Sequence, residues 1–432
     1  MISDEWHDTS IQEIEESGGL EIKTGPFGTQ LKATDYVPTG TPVINVRNIG
    51  FGSVRNAKLE YIGSETKERL KAHLLRPNDI VFGRKGAVER HAYIKSEQNE
   101  WLQGSDCIRL RFINDNINSK FVSYSLLTEK HQKWMIQHCS HGATMASLNQ
   151  DIIRRISLKL PKINTQNKIA SMLSAYDDFI ENNNRRIKIL EEMAQMIYRE
   201  WFVHFRFPGH EKVKFVDSPL GRIPESWKVE SVGSICEYVS RGVTPKYEYG
   251  TGRYIINQKA NKGSKIEEQH LKELHKDIQV PEAKMARIGD LLINSLGEGT
   301  IGRAHYFLGP DREWAVDQHM SICRSTYLPS TLYLYFVMNS SEGQAKIHSL
   351  KSGGTNMTTF NLSTLKSFNV LLPSRQMLEK FWQLADHLFG LKRILQKKNK
   401  VLVNTRDLLL RKLISGQVDV SDLDIPIPEE YQ

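Results

Sequence analysis

Downstream of Pro161 the apolar residues recur in alternating steps of four and three: Ile169, Leu173, Tyr176, Ile180, Asn183, Ile187, Leu190, Ala194, Ile197 and Trp201. This is a heptad seam with one polar position, Asn183. A second seam lies near the end of the chain, where Leu388, Leu395, Leu402 and Leu409 stand seven apart. Neither stretch holds a proline, and the second has the single glycine Gly390. The spacing predicts two long helices, the first from about Gln166 to about Phe205, roughly 60 Å long at 1.5 Å per residue. Alone, each is an amphipathic rod. Paired antiparallel, the two seams bury one another, and the polar seam residues Asn183, Lys392, Asn399 and Arg406 fix the register. Before Pro161 the pattern is of short strand-like runs between glycine-rich and polar turns.

The chain repeats itself. His141–Pro161 (HGATMASLNQDIIRRISLKLP) matches Gly353–Pro373 (GGTNMTTFNLSTLKSFNVLLP) at an offset of 212, with Gly142 on Gly354, Met145 on Met357, Asn149 on Asn361 and Pro161 on Pro373. Val88–Tyr93 lies over Ile301–Tyr306 and Trp101 over Trp314 at 213, Asp79-Ile80-Val81 over Asp290-Leu291-Leu292 at 211, and Trp6 over Trp227 at 221. Drifting offsets in a fixed order mean loop insertions within one duplicated plan. A period of half the chain is too long for a solenoid. The fold expected is therefore α/β (α+β), with two duplicated domains separated by two long antiparallel coiled-coil helices and pseudo-two-fold symmetry. The boundaries expected are a first domain at 1–161, a central helical spacer at 162–206, a Pro-, Gly- and charge-rich linker at 207–222, a second domain at 223–373, a C-terminal helical spacer at 374–415 and a tail at 416–432.

Charge narrows the partner. Lys+Arg number 58 against 50 Asp+Glu, a formal net charge of +8, and the sequence pI is about 9.1. That balance favours a polyanion. Two basic domains held at fixed separation suit double-stranded DNA, whose groove face repeats every ~34–36 Å, and an unlike pair would read a bipartite, asymmetric site. Side chains able to reach bases or phosphates stand in matching loops. In the first copy these are Thr29, Gln30 and Lys32 of GPFGTQLK, Arg47 and Asn48, Arg84 and Lys85 of a basic turn, Arg90, and Gly142 and Thr144. In the second they are Arg241, Thr244, Lys246, Asn257, Gln258, Lys259, Arg303, Gly354 and Asn356. Arginine suits guanine, Asn and Gln suit adenine, and Lys, Ser and Thr suit phosphates. Taken singly, each loop reads as a solvated turn, and the matched glycines read equally as turns the fold requires.

Catalytic signatures are missing. No Pro-Pro dipeptide occurs, so an adenine-methyltransferase [DN]-P-P-[YF] loop is absent, and there is no P-loop. Gly297–Gly302 spells G-x-G-x-x-G, but a strand-like run, Arg303–Leu308, follows where a dinucleotide site needs a helix. Glu282-Ala283-Lys284 has only Asp277 upstream, a poor metal-nuclease core, and His204 and His210 have no ligand partner at helical spacing. Cys107, Cys139, Cys236 and Cys323 form no C-x-x-C pair, which suggests neither zinc nor a disulfide framework and fits a reducing cytoplasm. Met1–Glu16 lacks the apolar core of a signal peptide, and no window is apolar for the ~18 residues a membrane span needs.

The wording of the chain resembles the specificity (S) subunit of type I restriction–modification systems over nearly its whole length. The stretches that carry the likeness are EWFVHFRFPGHE (Glu200–Glu211), SPLGRIPESWKV (Ser218–Val229), GPFGTQLK, Val43–Ile49, the Gly-Asp-Leu-Leu run at Gly289 and LLLRKLISGQV (Leu408–Val418). The first copy departs at Arg76-Pro77-Asn78-Asp79, where the second has Gly289-Asp290. The resemblance implies that each target-recognition domain reads half of a split DNA site. It implies that the helical segments (Leu173, Ile180, Asn183, Ile187, Leu190, Ile197; Leu388, Leu395, Leu402, Leu409) set the spacer and dock two methyltransferase (M) subunits that methylate adenine N6. Motor-nuclease (R) subunits, two in the full assembly, would join them. S-adenosylmethionine, ATP and Mg2+ belong to those partners, and this chain would hold no cofactor or metal and perform no catalysis. The competing readings are a self-contained nuclease or methyltransferase, and a coiled-coil scaffold that binds nucleic acid without sequence preference.

Overall fold

Matching residues in the repeat prove to be matching places in a sheet. In the computed structural model, which describes residues 6–139, 146–219, 221–297, 299–352 and 358–428, the strands Leu20–Thr24, Cys107–Phe112, Ile80–Gly83 and His91–Tyr93 lie side by side in that order. Tyr238–Arg241, Met320–Arg324, Leu291–Asn294 and Ala304–Tyr306 take the same places in the second copy. All pairings in both sheets are antiparallel. A smaller mixed sheet accompanies each. Thr41–Ile44 runs parallel to Leu102–Gln103 and antiparallel to Glu60–Ile62. Tyr254–Ile256 does the same with Ala315–Val316 and Lys272–Glu273. The first and last strands of each copy pair with one another, His7–Ser10 with Ser157–Leu160 and Lys228–Ser231 with Asn369–Leu372.

The repeated polar residues have repeated structural tasks. Asp79 and Asp290 are each 1% exposed, and each accepts a backbone N–H three residues back, from Arg76 and Arg287, at 2.8 Å. Each also holds an arginine of the neighbouring strand at 2.7 Å, Arg111 and Arg324. Asn149 and Asn361 cap the short helices Gln150–Arg154 and Leu362–Lys366 through their side-chain oxygens. Trp101 and Trp314 flank the core clusters around Ile44 and Ile256.

The two seams form helices Ile163–Tyr198, continued by a π-helical turn Arg199–Val203, and Arg375–Ile414. The chain divides into two compact units, Met1–Asn182 with Lys398–Gln432, and Asn183–Lys397. In the first unit Ile169, Ala170 and Leu173 pack with Leu410, Leu413 and Val420, and Arg406 bonds Asp177 at 2.7 Å. In the second, Ala194, Tyr198 and Phe202 pack with Phe381, Ala385 and Phe389, and Lys392 bonds Glu191 at 2.7 Å. Within each unit one helix rises in number as the other falls, so the pairing is antiparallel. The predicted seam positions Leu173, Ile180, Asn183, Ile187, Leu190, Ile197, Leu388, Leu395, Leu402 and Leu409 are all buried or half-buried.

The segment expected as a linker carries an antiparallel hairpin, Phe215–Ser218 with Gly221–Pro224, and Phe207, Ile223 and Trp227 sit in the second unit's core. Its proline and glycine mark the turn and the strand end: Gly221 has φ +94°, and Pro224 closes the second strand. Among the described residues no helix is long and apolar enough to cross a membrane.

Candidate nucleic-acid interface

In the first unit the strand Leu20–Thr24 delivers the chain into Gly25, where a Cβ would stand 1.9 Å from the Gly104 carbonyl oxygen. Gly242 in the second unit is pressed the same way, 2.0 Å from the Val316 oxygen. Only glycine permits either approach, so each loop is held against the turn that precedes the neighbouring strand. Beyond Gly25, Phe27 stands 54% exposed with the Arg84 guanidinium 5.1 Å from its ring centroid. Thr29 and Gln30 lie in the 3-10 turn Gly28–Gln30, and they and Lys32 are exposed. Lys85 is exposed and pairs with Asp106 at 3.3 Å, and its backbone bridges Ser147. The loop at 25–32, the basic turn at 83–86 and the segment at 146–148 therefore converge.

The other first-copy candidates divide. Arg47 is exposed but held by Glu60 at 2.6 Å, and Arg90 lies over the exposed Phe51 ring at 5.1 Å. Asn48 is 0% exposed, which corrects its reading as a base contact: its amide donates to the Arg55 and Ala57 carbonyls and accepts from Asn45 N, so it shapes the turn. Asn257 is corrected on the same ground, donating to the His270 carbonyl at 2.6 Å and accepting from Lys259 N and Ala260 N.

In the second unit the equivalent loops meet as well. Val243 bridges Asp317, Thr244 Oγ1 donates to Gln318 Oε1 at 2.7 Å, and Lys246 is exposed. Arg241 Nη2 donates to the Phe360 carbonyl at 2.8 Å, and Phe360 N donates to the Ser295 carbonyl. Gln258 lies against Gly297, and Lys259 is exposed. Arg303 Nη1 donates to the Asn261 carbonyl at 3.0 Å, bracing the turn at 257–263. Gly142, Thr144, Gly354 and Asn356 lie outside the described residues. The sequence reading passed over Phe27, Gln318 and His319. An aromatic between Pro26 and Gly28 is a signal for the first, whereas Gln318 and His319 gain meaning only from the bridge to Val243.

Residues 299–302 lead into the strand Ala304–Tyr306 and open no helix, so the glycine motif is not a dinucleotide site. Glu282 is engaged by Arg287 and Arg312, and among the described residues no His, Cys, Asp and Glu group could hold a metal ion.

Buried imidazoles give the scaffold a pH limit. Burial pushes His91 down to about 3, helped by neighbouring His131 and Lys120, and pushes His131 down to about 4 and His305 to about 4. His91 Nε2 bonds Ser123 Oγ at 2.8 Å, and His305 Nδ1 bonds the Gly263 carbonyl at 2.7 Å. These rings stay neutral in the fold, while in the unfolded chain they protonate below about 6.5. The unfolded state thus gains protons as pH falls, and stability drops between about 6.5 and 4 at about 1.4 kcal/mol per pH unit per ring. Urea unfolding should show the first unit, with His91 and His131, losing about 4 kcal/mol between pH 7 and pH 5. His91→Gln should halve that slope. A stability flat over this range contradicts the burial of neutral rings.

A family model described as the type I restriction modification DNA specificity domain matches residues 4–192. The chain is 25% identical over 315 residues to the type I restriction enzyme MjaIX specificity subunit of Methanocaldococcus jannaschii, covering 72% of this chain and 71% of that one. It is 23% identical to the HindI specificity subunit of Haemophilus influenzae, covering 65% and 72%. The crystal structure of a type I restriction–modification S subunit from M. genitalium superposes with a TM-score of 0.56 at 17% identity, covering 94% of this chain and 96% of that one, a likeness of fold. The family model stops at residue 192, and the second copy repeats the sheet order of the first.

Proposed function

We propose that the chain is a specificity subunit of a type I restriction–modification system and that its two units read the two unlike halves of a bipartite, asymmetric DNA site. The observation that carries this is the contrast between a shared frame and unshared loops. Sheet order and the buried aspartate–arginine pairs repeat, while the converging loops present Phe27, Arg84 and Lys85 in one unit and Arg241, Thr244 and Gln258 in the other. A duplicated binder of one sequence would repeat its loops.

The helices dock adenine-N6 methyltransferase subunits, two per chain, and motor-nuclease subunits join the complex. Support comes from apolar residues left outside the seams. The first unit exposes Phe179, Val401 and Leu408, and the second exposes Ile189, Met193, Met196, Leu384, Leu391 and Ile394. Ile189, Met193 and Met196 stand four and three apart on one helix, and a contiguous apolar stripe of this kind marks a surface meant for a partner. The chain itself is non-catalytic, and S-adenosylmethionine, ATP and Mg2+ are carried by the partners. Mapping N6-methyladenine in host DNA with and without the chain tests the proposal: a split motif that vanishes with the chain supports it, and an unchanged methylation pattern refutes it.

A further inference from the structure

Four described arginines have a buried nitrogen without a hydrogen-bond partner: Arg90, Arg109, Arg241 and Arg287. Three of them are ion-paired, to Glu89, Glu21 and Glu282. Arg241 is not paired with any described carboxylate. Its Nη2 donates to the Phe360 carbonyl at 2.8 Å and its Nη1 has no acceptor. Burial alone pulls this guanidinium below its usual value.

Gln258 is in a similar condition. Its backbone carbonyl accepts from Asn294 Nδ2, but its side-chain amide bonds no described residue, and Oε1 is buried without a partner. The amide rests on Gly297, where a Cβ would stand 3.2 Å from both its oxygen and its nitrogen. Buried polar groups left unmet weaken a fold, so such groups call for a ligand. The two residues flank one turn: Arg241 bonds Phe360, Phe360 bonds Ser295, and Gly297 lies two residues on. In the first copy both places are closed. Thr24, which precedes Gly25 as Arg241 precedes Gly242, accepts from Gln150 Nε2 at 2.8 Å. Val46 follows Asn45 where Gln258 follows Asn257.

We infer that Gln258 reads an adenine in the half-site of the second unit and that Arg241 grips a phosphate beside it, an inference that rests on the DNA-reading proposal. An amide with donor and acceptor both unengaged matches adenine N7 and N6 in the major groove, once side-chain rotation lifts it from Gly297. A phosphate oxygen cannot satisfy a Gln oxygen, because it has no proton to give; an exocyclic amino group can. Both two-pronged faces of the Arg241 guanidinium include Nη2, which already holds the Phe360 carbonyl, whereas guanine O6 and N7 take two donors together, so a single phosphate oxygen is its match.

The test uses the full chain assembled with its methyltransferase partner, read by methylation mapping and by binding to duplexes carrying the mapped motif. Gln258→Ala should relax one adenine of one half-site by about 10- to 100-fold and leave the other half untouched. Gln258→Glu should move the preference there towards cytosine, whose N4 amino group donates to a carboxylate. Gln258→Met keeps the packing on Gly297 and replaces the alanine variant should that one unfold. Arg241→Gln should weaken every sequence alike and make the slope of log affinity against log salt shallower by about 0.9, with Arg241→Lys restoring most of both. A motif equally strict in the folded Gln258 variants overturns the first assignment. A loss confined to one base pair in Arg241→Gln overturns the second. If the wild-type assembly marks no split motif, the DNA-reading proposal itself has failed; a split motif kept by all variants sinks only this inference.

Discussion

Exchanging residues 1–160 for the recognition domain of another specificity subunit should replace one half of the methylated motif completely and leave the other half unchanged. The exchange is feasible because the domain opens and closes on one ladder, His7–Ser10 against Ser157–Leu160, so both junctions fall at the same place. The graft must preserve the contacts this domain makes with the helices of its own unit. Tyr124 donates to Asp177 Oδ2 at 2.6 Å, Lys95 pairs with Glu181 at 2.6 Å, and Phe121 and Leu158 share a core with Ile169, Leu173 and Leu413. A graft lacking apolar residues at the last two places would lose about 2–5 kcal/mol per large side chain. With them kept, methylation of the old motif should fall to background while the new half appears beside the old second half. Two altered halves, or none, would contradict the assignment of one half-site to each unit.

The largest effect on stability is expected from Arg324→Met. Asp290 is almost wholly buried, and burial pushes its carboxyl up from the ordinary value even with Arg324 alongside. Desolvation therefore outweighs attraction in this pair. Removing the guanidinium leaves an uncompensated buried charge and deprives the Met285 carbonyl of its donor at 2.9 Å. The expected cost is about 3–5 kcal/mol in the unfolding of the second unit. Adding Asp290→Asn, which keeps an acceptor for Arg287 N, should recover most of it, because replacing both charges is far cheaper than stranding one. Chemical denaturation of the single and double variants checks this, and equal losses in both would show that the charge itself is not the cause.

The period-seven seams and the drifting repeat made the helices and the duplication legible, because burial of a face imposes spacing on the sequence. Asp79 and Asp290 were visible as a matched pair, but their arginines were not, since strand neighbours are set by tertiary pairing. Asn48, Asn257 and Gln258 looked alike as amides in loops after a strand. The fold closes the first two on turn carbonyls and leaves the third unmet, a difference that depends on where Arg55, His270 and Gly297 come to lie. The hairpin at 215–224 was hidden because proline and glycine punctuate a tight turn and a linker alike.

The most direct measurement is the N6-methyladenine map of DNA modified by the assembled complex, with the chain present or deleted. The expected map shows two short unlike blocks of fixed bases separated by a constant run of unspecified ones, erased when the chain is lost. A single contiguous or palindromic motif, or methylation that persists without the chain, would contradict it.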